Sequence, residues 1–173
     1  MSDYKWDPQS YEKNFGFVSS FEKPVIEMLE PKSGERILDL GCGTGLFAKE
    51  LSEMGCSVLG VDSNKAMAEK AKERGVEVLV ADAQGLTLDE KFDAVVTVAS
   101  IHCIKDHYAV VRRVWNLLRP GGRFVGECGG EGCLRIVREG IKIALSKRGI
   151  DYKARYPWKF PELGDFSRIL ENL

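Results

Sequence analysis

From Arg36 onward, short apolar runs of β-like composition alternate with longer stretches of helical periodicity. That alternation predicts a parallel sheet covered by helices. The runs are Arg36 to Leu40, Ser57 to Val61, Val76 to Val80, Phe92 to Ala99 and Arg123 to Glu127. The fourth contains Asp93-Ala94-Val95-Val96-Thr97-Val98, a nearly continuous apolar segment of the kind a central strand buried on both faces requires. Helical patterns run from Phe21 to Leu29, closed by Pro31 and Gly34, and from Leu46 to Met54, ended by Gly55. Another runs from Asn64 to Arg74 with Ser63 as its cap and Gly75 as its stop. The pattern from His107 to Leu118 is halted by Pro120-Gly121-Gly122. Helices from about Cys133 to Lys147 and from Phe166 to Leu173, the latter capped by Asp165, complete the chain.

No strand follows the last helix, which would leave the fifth strand as an open edge. The reading is of a truncated chain, with a natural short form as the alternative. The chain of 173 residues, 44% hydrophobic, holds one domain with a substantial core. Its subdivisions are an N-terminal helical cap over 1–30, a core over 35–130 and a helical C-terminal part over 131–173. Twenty-five basic and 26 acidic residues give a net charge of -1, with no long block of one sign. That balance excludes nothing firmly but offers no nucleic-acid or membrane partner, so a small-molecule partner is expected. Cys42, Cys56, Cys103, Cys128 and Cys133 form no CxxC pair and have only His102 and His107 as company. Neither a disulfide framework nor a metal site is expected, and the thiols read as reduced in a cytoplasmic protein. No apolar run is long enough for a signal peptide or a membrane span.

The stretch Leu38-Asp39-Leu40-Gly41-Cys42-Gly43-Thr44-Gly45 is a strand that breaks into a glycine-rich turn and opens a helix. Open α/β sheets bind nucleotide-like cofactors at such turns. Glycines at 41, 43 and 45 permit positive φ and bring backbone N–H groups close to a ligand. The spacing is GxGxG, whereas a dinucleotide fingerprint is GxGxxG and has Leu46 at its sixth position here. A nicotinamide dinucleotide is therefore the weaker alternative. Asp39, inside the first strand, is costly to bury unless its carboxylate is matched. Asp62 and Asp82 stand at the carboxyl ends of the second and third strands, where ligands of such sheets bind.

These residues, in this order, resemble motif I and the later motifs of the class I S-adenosylmethionine-dependent methyltransferases, close to the type 11 group. Asp62, Asp82-Ala83, Phe92-Asp93-Ala94-Val95-Val96 and Leu117-Leu118-Arg119-Pro120-Gly121-Gly122-Arg123-Phe124 carry the resemblance, which covers roughly 11–127. A weaker likeness to the trans-aconitate methyltransferase branch rests on Trp6-Asp7-Pro8 with Tyr11 and on Ala99-Ser100-Ile101-His102. The resemblance implies a Rossmann-like doubly wound sheet of strand order 3-2-1-4-5, with the usual strands six and seven missing. It implies S-adenosylmethionine as cofactor, held by Asp39, Gly41, Cys42, Gly43, Asp62, Ser63, Asp82, Ala83, Gln84 and Ala99. Asp62 would accept from the ribose hydroxyls, Asp82 from the adenine amino group, and Asp39 would face the amino group of the methionine part directly or through water. A turn cap is the plainer role for Asp82.

The reaction implied is in-line transfer of the sulfonium methyl to a small-molecule acceptor. The leaving group is already activated by its charge, so positioning and desolvation supply much of the catalysis and no acid or base is obligatory. His102, after the fourth strand, is the candidate to orient or deprotonate the acceptor; an ordinary hydrogen-bonding histidine is the equal alternative. His107 reads as structural. A chain that binds the cofactor without catalysing transfer is the further alternative.

Tyr4, Trp6, Tyr11, Phe15, Phe17 and Phe21 make the N-terminus aromatic, and Tyr11 and Phe15 would share one face of a helix. They serve either plain packing or a lid over the site. Arg135, Arg138, Lys142 and Lys147 alternate with apolar residues as in an ordinary amphipathic helix with a solvated basic face.

Overall fold

The protein is described by a computed structural model over residues 7–15 and 22–173. Tyr4, Trp6, Phe17 and Phe21 lie outside the described residues. Five strands form one parallel sheet: β1 (Arg36–Leu40), β2 (Ser57–Asp62), β3 (Glu77–Val80), β4 (Phe92–Val98) and β5 (Leu118–Glu127). Their spatial order is β3-β2-β1-β4-β5, as the resemblance implied. The helices are α1 (Pro8–Phe15), α2 (Glu22–Leu29), α3 (Leu46–Glu53), α4 (Lys65–Glu73), α5 (His107–Leu117), α6 (Arg135–Ser146), α7 (Tyr152–Arg155) and α8 (Leu163–Glu171). No helix among the described residues is long and apolar enough to cross a membrane.

Strand periodicity divides the core into two layers. Ile37 of β1 packs with Val25 and Leu29 of α2 and Phe47, Ala48 and Leu51 of α3. Leu38 and Leu40 point the other way, joining Leu59, Val61, Phe92 and Val95 against Val110, Val114 and Leu117 of α5. Burial on both faces explains why β1 and β4 read as almost unbroken apolar runs. Because every crossover is parallel, the carboxyl ends of all five strands emerge along one edge of the sheet. Arg123 of β5 fastens that framework to the N-terminal layer: its Nε donates to the Leu29 carbonyl at 2.6 Å and its guanidinium pairs with Glu35 at 2.7 Å.

Three expectations are corrected. Asn64, not Ser63, caps α4, its side-chain oxygen accepting from the N–H groups of Ala66 and Met67 at 2.9 and 3.2 Å. Both residues suit an N-cap, and Asp62 draws the Asn64 N–H to itself, which fixes the cap one residue later. The last helix starts at Leu163 after Glu162; Asp165 lies in its first turn and pairs with Arg168 instead of capping. Pairing of β5 begins at Leu118, where Phe92 meets Leu118 before the register shifts around Pro120-Gly121-Gly122 and resumes at Ala94 and Arg123. A local irregularity absorbs the segment that signalled a simple stop. The basic helix α6 buries none of its residues.

The glycine turn sets a sharp stability test. A Cβ on Gly45, at φ 79°, would lie 2.7 Å from the Ala71 Cβ and 3.0 Å from its Cα, whereas one on Gly75, at φ 83°, meets nothing within 4 Å. Gly45→Ala is expected to cost about 3 kcal/mol or more from strain plus collision, and Gly75→Ala about 1 kcal/mol from strain alone. Chemical denaturation of the two variants checks this; equal losses would contradict the packing described.

Candidate functional site

The glycine turn leaves β1 at Gly41 and reaches α3 at Leu46, and its path depends on missing side chains. A Cβ on Gly41 would sit 1.9 Å from the Ser100 Oγ, so the β1 and β4 ends can approach only because position 41 is bare. Gly60 of β2 does the same for Cys42, whose Sγ lies where a Cβ would come within 2.7 Å. The Cys42 thiol is thereby buried, and burial raises its pKa far above the ordinary thiol value, which removes it from nucleophilic chemistry.

The turn's N–H groups are already engaged. Gly41 and Cys42 both donate to the Val61 carbonyl, at 2.7 and 3.1 Å, and Gly43 donates to the Asp62 Oδ2 at 2.9 Å. The expectation that these N–H groups face a ligand is therefore corrected: they hold the turn to β2. Asp62 accepts a second hydrogen bond on Oδ1 from the Asn64 N–H, at 2.7 Å, and retains lone pairs on both oxygens for hydroxyl donors.

Asp39 carries the decisive anomaly. It is 2% exposed in the middle of β1, on the face of Ile37, and its Oδ2 is buried without a hydrogen-bond partner among the described residues. Burial, followed by the charges of Asp62 and Glu22, pushes its pKa up to about 8. Asp62 is itself raised by burial, against the two backbone N–H groups that lower it, and Glu22 of α2 is raised by burial and by Glu50. Asp39 thus lies in the negative field of both Asp62 and Glu22, an environment that favours a cation and disfavours a pyrophosphate beside it.

Along the same edge, Asp82 accepts from the Gln84 N–H at 2.9 Å and from Gln84 Nε2 at 3.1 Å, capping a short 3-10 turn over Ala83–Gly85. The Gln84 Oε1 accepts in turn from the Asp106 N–H at 3.0 Å, which ties this turn to the start of α5. Ala99, just past β4, has φ 51° and donates its N–H to the Glu127 carbonyl at 3.0 Å. His102 follows in a 3-10 turn over Ile101–Cys103, half-buried. His107 is buried at the start of α5, its ring edge-on to Phe166 at 5.8 Å.

Tyr11 of α1 is half-buried. Its phenol pKa is raised by burial and by Glu22, Cys103 and Asp62, which places its hydroxyl within the field of those groups. Arg74 holds α1 there: it pairs with Glu12 at 2.6 Å and donates to the Thr44 carbonyl of the glycine turn at 2.6 Å. Sequence reasoning missed Arg74, Ser100, Glu22 and the bridging side chain of Gln84. Arg74 reads from sequence only as the last residue of a helical pattern, and its partners lie 62 and 30 residues away.

Residues 38–126 match the methyltransferase domain family. The chain belongs to the class I S-adenosylmethionine-dependent methyltransferases. An uncharacterized methyltransferase of Schizosaccharomyces pombe is 33% identical over 187 residues, which span 99% of this chain and 71% of that protein. A demethylmenaquinone methyltransferase of Corynebacterium kroppenstedtii is 32% identical over 109 residues, 62% of this chain and 48% of its own length. Phosphoethanolamine N-methyltransferase 2 of Haemonchus contortus, in complex with phosphomonomethylethanolamine and S-adenosylhomocysteine, superposes with a TM-score of 0.75 at 26% identity, over 95% of this chain and 40% of that one. The methyltransferase therefore spans about half or less of the last two. Its cofactor is S-adenosylmethionine.

Asp39 makes the unliganded protein lose stability as pH rises from acid to neutral. Its folded pKa of about 8 lies above the unfolded carboxylate value of about 3.9, so the folded state holds a proton that the unfolded state has lost. Stability from this group falls as pH rises from about 4 to 8 and levels off above. Asp39→Asn is expected to raise the melting temperature more at pH 8 than at pH 5, as thermal unfolding at the two pH values would show. An equal change at both would contradict the buried carboxylate.

Proposed function

We propose that this methyltransferase passes the methyl group of S-adenosylmethionine to a small-molecule acceptor bound between Tyr11 and His102. The observation that carries the reading is the buried Asp39 Oδ2, without a hydrogen-bond partner among the described residues and within the field of Asp62. Asp39 faces the cofactor's ammonium, directly or through water. Asp62 uses its remaining lone pairs for the two ribose hydroxyls, a charge-assisted arrangement that neutral side chains match less well. Gly41, Cys42 and Gly43 lie against the methionine part through their backbone, and Ser63 flanks the ribose. Asp82 keeps its cap and has a second oxygen for the adenine amino group, while the N–H of Ala83 or Gln84 serves a ring nitrogen. Ala99 closes the floor at the end of β4.

Tyr11 and the Glu12–Arg74–Thr44 linkage support a lid reading of α1, because the same ion pair that seats the helix also grips the glycine turn beneath. Water exclusion by such a lid favours displacement at the methyl carbon. The relatives named above include enzymes named for a quinone and for phosphoethanolamine, and the fold by itself does not choose among acceptors.

Incubating the protein with S-adenosylmethionine and separate pools of carboxylic acids, hydroxylated aromatics and amines, with S-adenosylhomocysteine release as readout, tests the proposal. Turnover with one pool is the expected result; cofactor binding without turnover on any pool would leave a binding protein and overturn it. Asp62→Ala is expected to weaken S-adenosylmethionine binding by about 10- to 100-fold, since hydrogen bonds to charged groups contribute about 1.5–3 kcal/mol. Unchanged affinity in calorimetry would remove Asp62 from the cofactor site.

A further inference from the structure

His102 is held on three sides by the segment that follows β5. Its Nδ1 accepts a hydrogen bond from the Gly129 N–H at 3.2 Å. Its ring stacks on Phe160, with centroids 5.2 Å apart and planes at 27°. Its backbone carbonyl accepts from the Lys159 N–H at 2.7 Å. Phe160 is secured in turn by the Arg138 guanidinium 5.4 Å over its ring, and by Gly129, where a Cβ would come within 2.7 Å of the Phe160 ring. Nε2 has no hydrogen-bond partner among the described residues and is not among the atoms sealed from solvent.

A neutral imidazole that accepts at Nδ1 carries its proton on Nε2. Burial, and to a lesser extent the charge of His107, disfavours the doubly protonated ring. The remaining cations of the clamp are turned elsewhere: Lys159 Nζ donates to the Lys105 carbonyl at 2.8 Å, Lys105 Nζ donates to the Tyr156 carbonyl at 3.0 Å, and Arg138 lies over Phe160 and Tyr156.

We propose that His102 meets the methyl acceptor as a fixed Nε2–H hydrogen-bond donor and not as a base, so that the group recognised there is an oxygen anion. This rests on the proposed placement of the acceptor beside His102. Such an acceptor needs no deprotonation. A lone pair of the oxygen anion forms the new bond to the methyl carbon as the carbon–sulfur bond breaks, and that bond's electron pair stays on sulfur. The anionic charge and the sulfonium charge disappear together, and no proton moves. His102 then orients the anion by a charge-assisted hydrogen bond, while an ammonium acceptor would meet an N–H donor head-on and be rejected.

Long-range proton–nitrogen correlation spectra of the ¹⁵N-labelled protein test this, with His102→Gln used to separate the signals of the two histidines. The expected result at pH 7.5 is the Nε2–H tautomer at His102, and in Gly129→Ala a mixture of tautomers with S-adenosylhomocysteine binding intact. The Nδ1–H tautomer or an imidazolium in the unaltered protein would overturn the proposal. With S-adenosylhomocysteine bound, benzoate is expected to shift the His102 Nε2 signal and benzylamine to leave it in place; a shift with benzylamine alone, or with neither, also overturns it. Binding of S-adenosylhomocysteine is followed in the same samples. Its loss would count against the methyltransferase site itself, whereas retained binding with the wrong tautomer or the wrong probe counts against this inference alone.

Discussion

A carboxylate buried without a full set of partners in the middle of an apolar strand is the constraint around which the rest of the site is arranged. Asp39 stands where the sheet is most completely covered, and its neighbours Asp62 and Glu22 worsen its position by charge. A core position of this kind is costly on its own and becomes favourable only with a cation beside it. In the reading proposed above, that cation is the cofactor's ammonium, so that cost in the free protein and affinity for the cofactor have one physical origin.

The rest of the structure positions other groups against that cluster. Thr97 of β4 donates its hydroxyl to the Leu40 carbonyl at 2.8 Å, pinning β1 to β4 at the point where β1 gives way to the turn. Arg74 links α4, the glycine turn and α1. The segment after β5 returns to grip His102 through Gly129, Lys159 and Phe160. Elements distant in sequence thus converge on the carboxyl edge of the sheet, where parallel topology leaves strand ends open to ligands.

What the sequence made legible was whatever depends on local pattern. The five strands and the acidic residues at strand ends follow from periodicity and position, the β1 bounds match to the residue, and the strand order is the one the family resemblance implied. The caps were harder, because Ser63 and Asn64 are equivalent in propensity and the choice is settled by the pull of Asp62 on one N–H. The glycine turn illustrates a subtler gap. Its spacing announced a ligand site, but only the register of β1 against β2 shows that Val61 and Asp62 already occupy its N–H groups. Arg74, Ser100 and the clamp on His102 left no signal in the sequence because each is defined by partners brought together by the fold.

The account turns on Asp39 acting as the counter-charge of the cofactor, and one measurement addresses that directly. Calorimetric titration with S-adenosylmethionine at pH 7.5, in two buffers of different ionisation enthalpy, counts the protons exchanged on binding. A cation set beside a carboxyl whose pKa is about 8 lowers that pKa and expels its proton, so the account predicts proton release in the unaltered protein and none in Asp39→Asn. Binding without proton release, or equally tight binding of a nicotinamide dinucleotide, would contradict it.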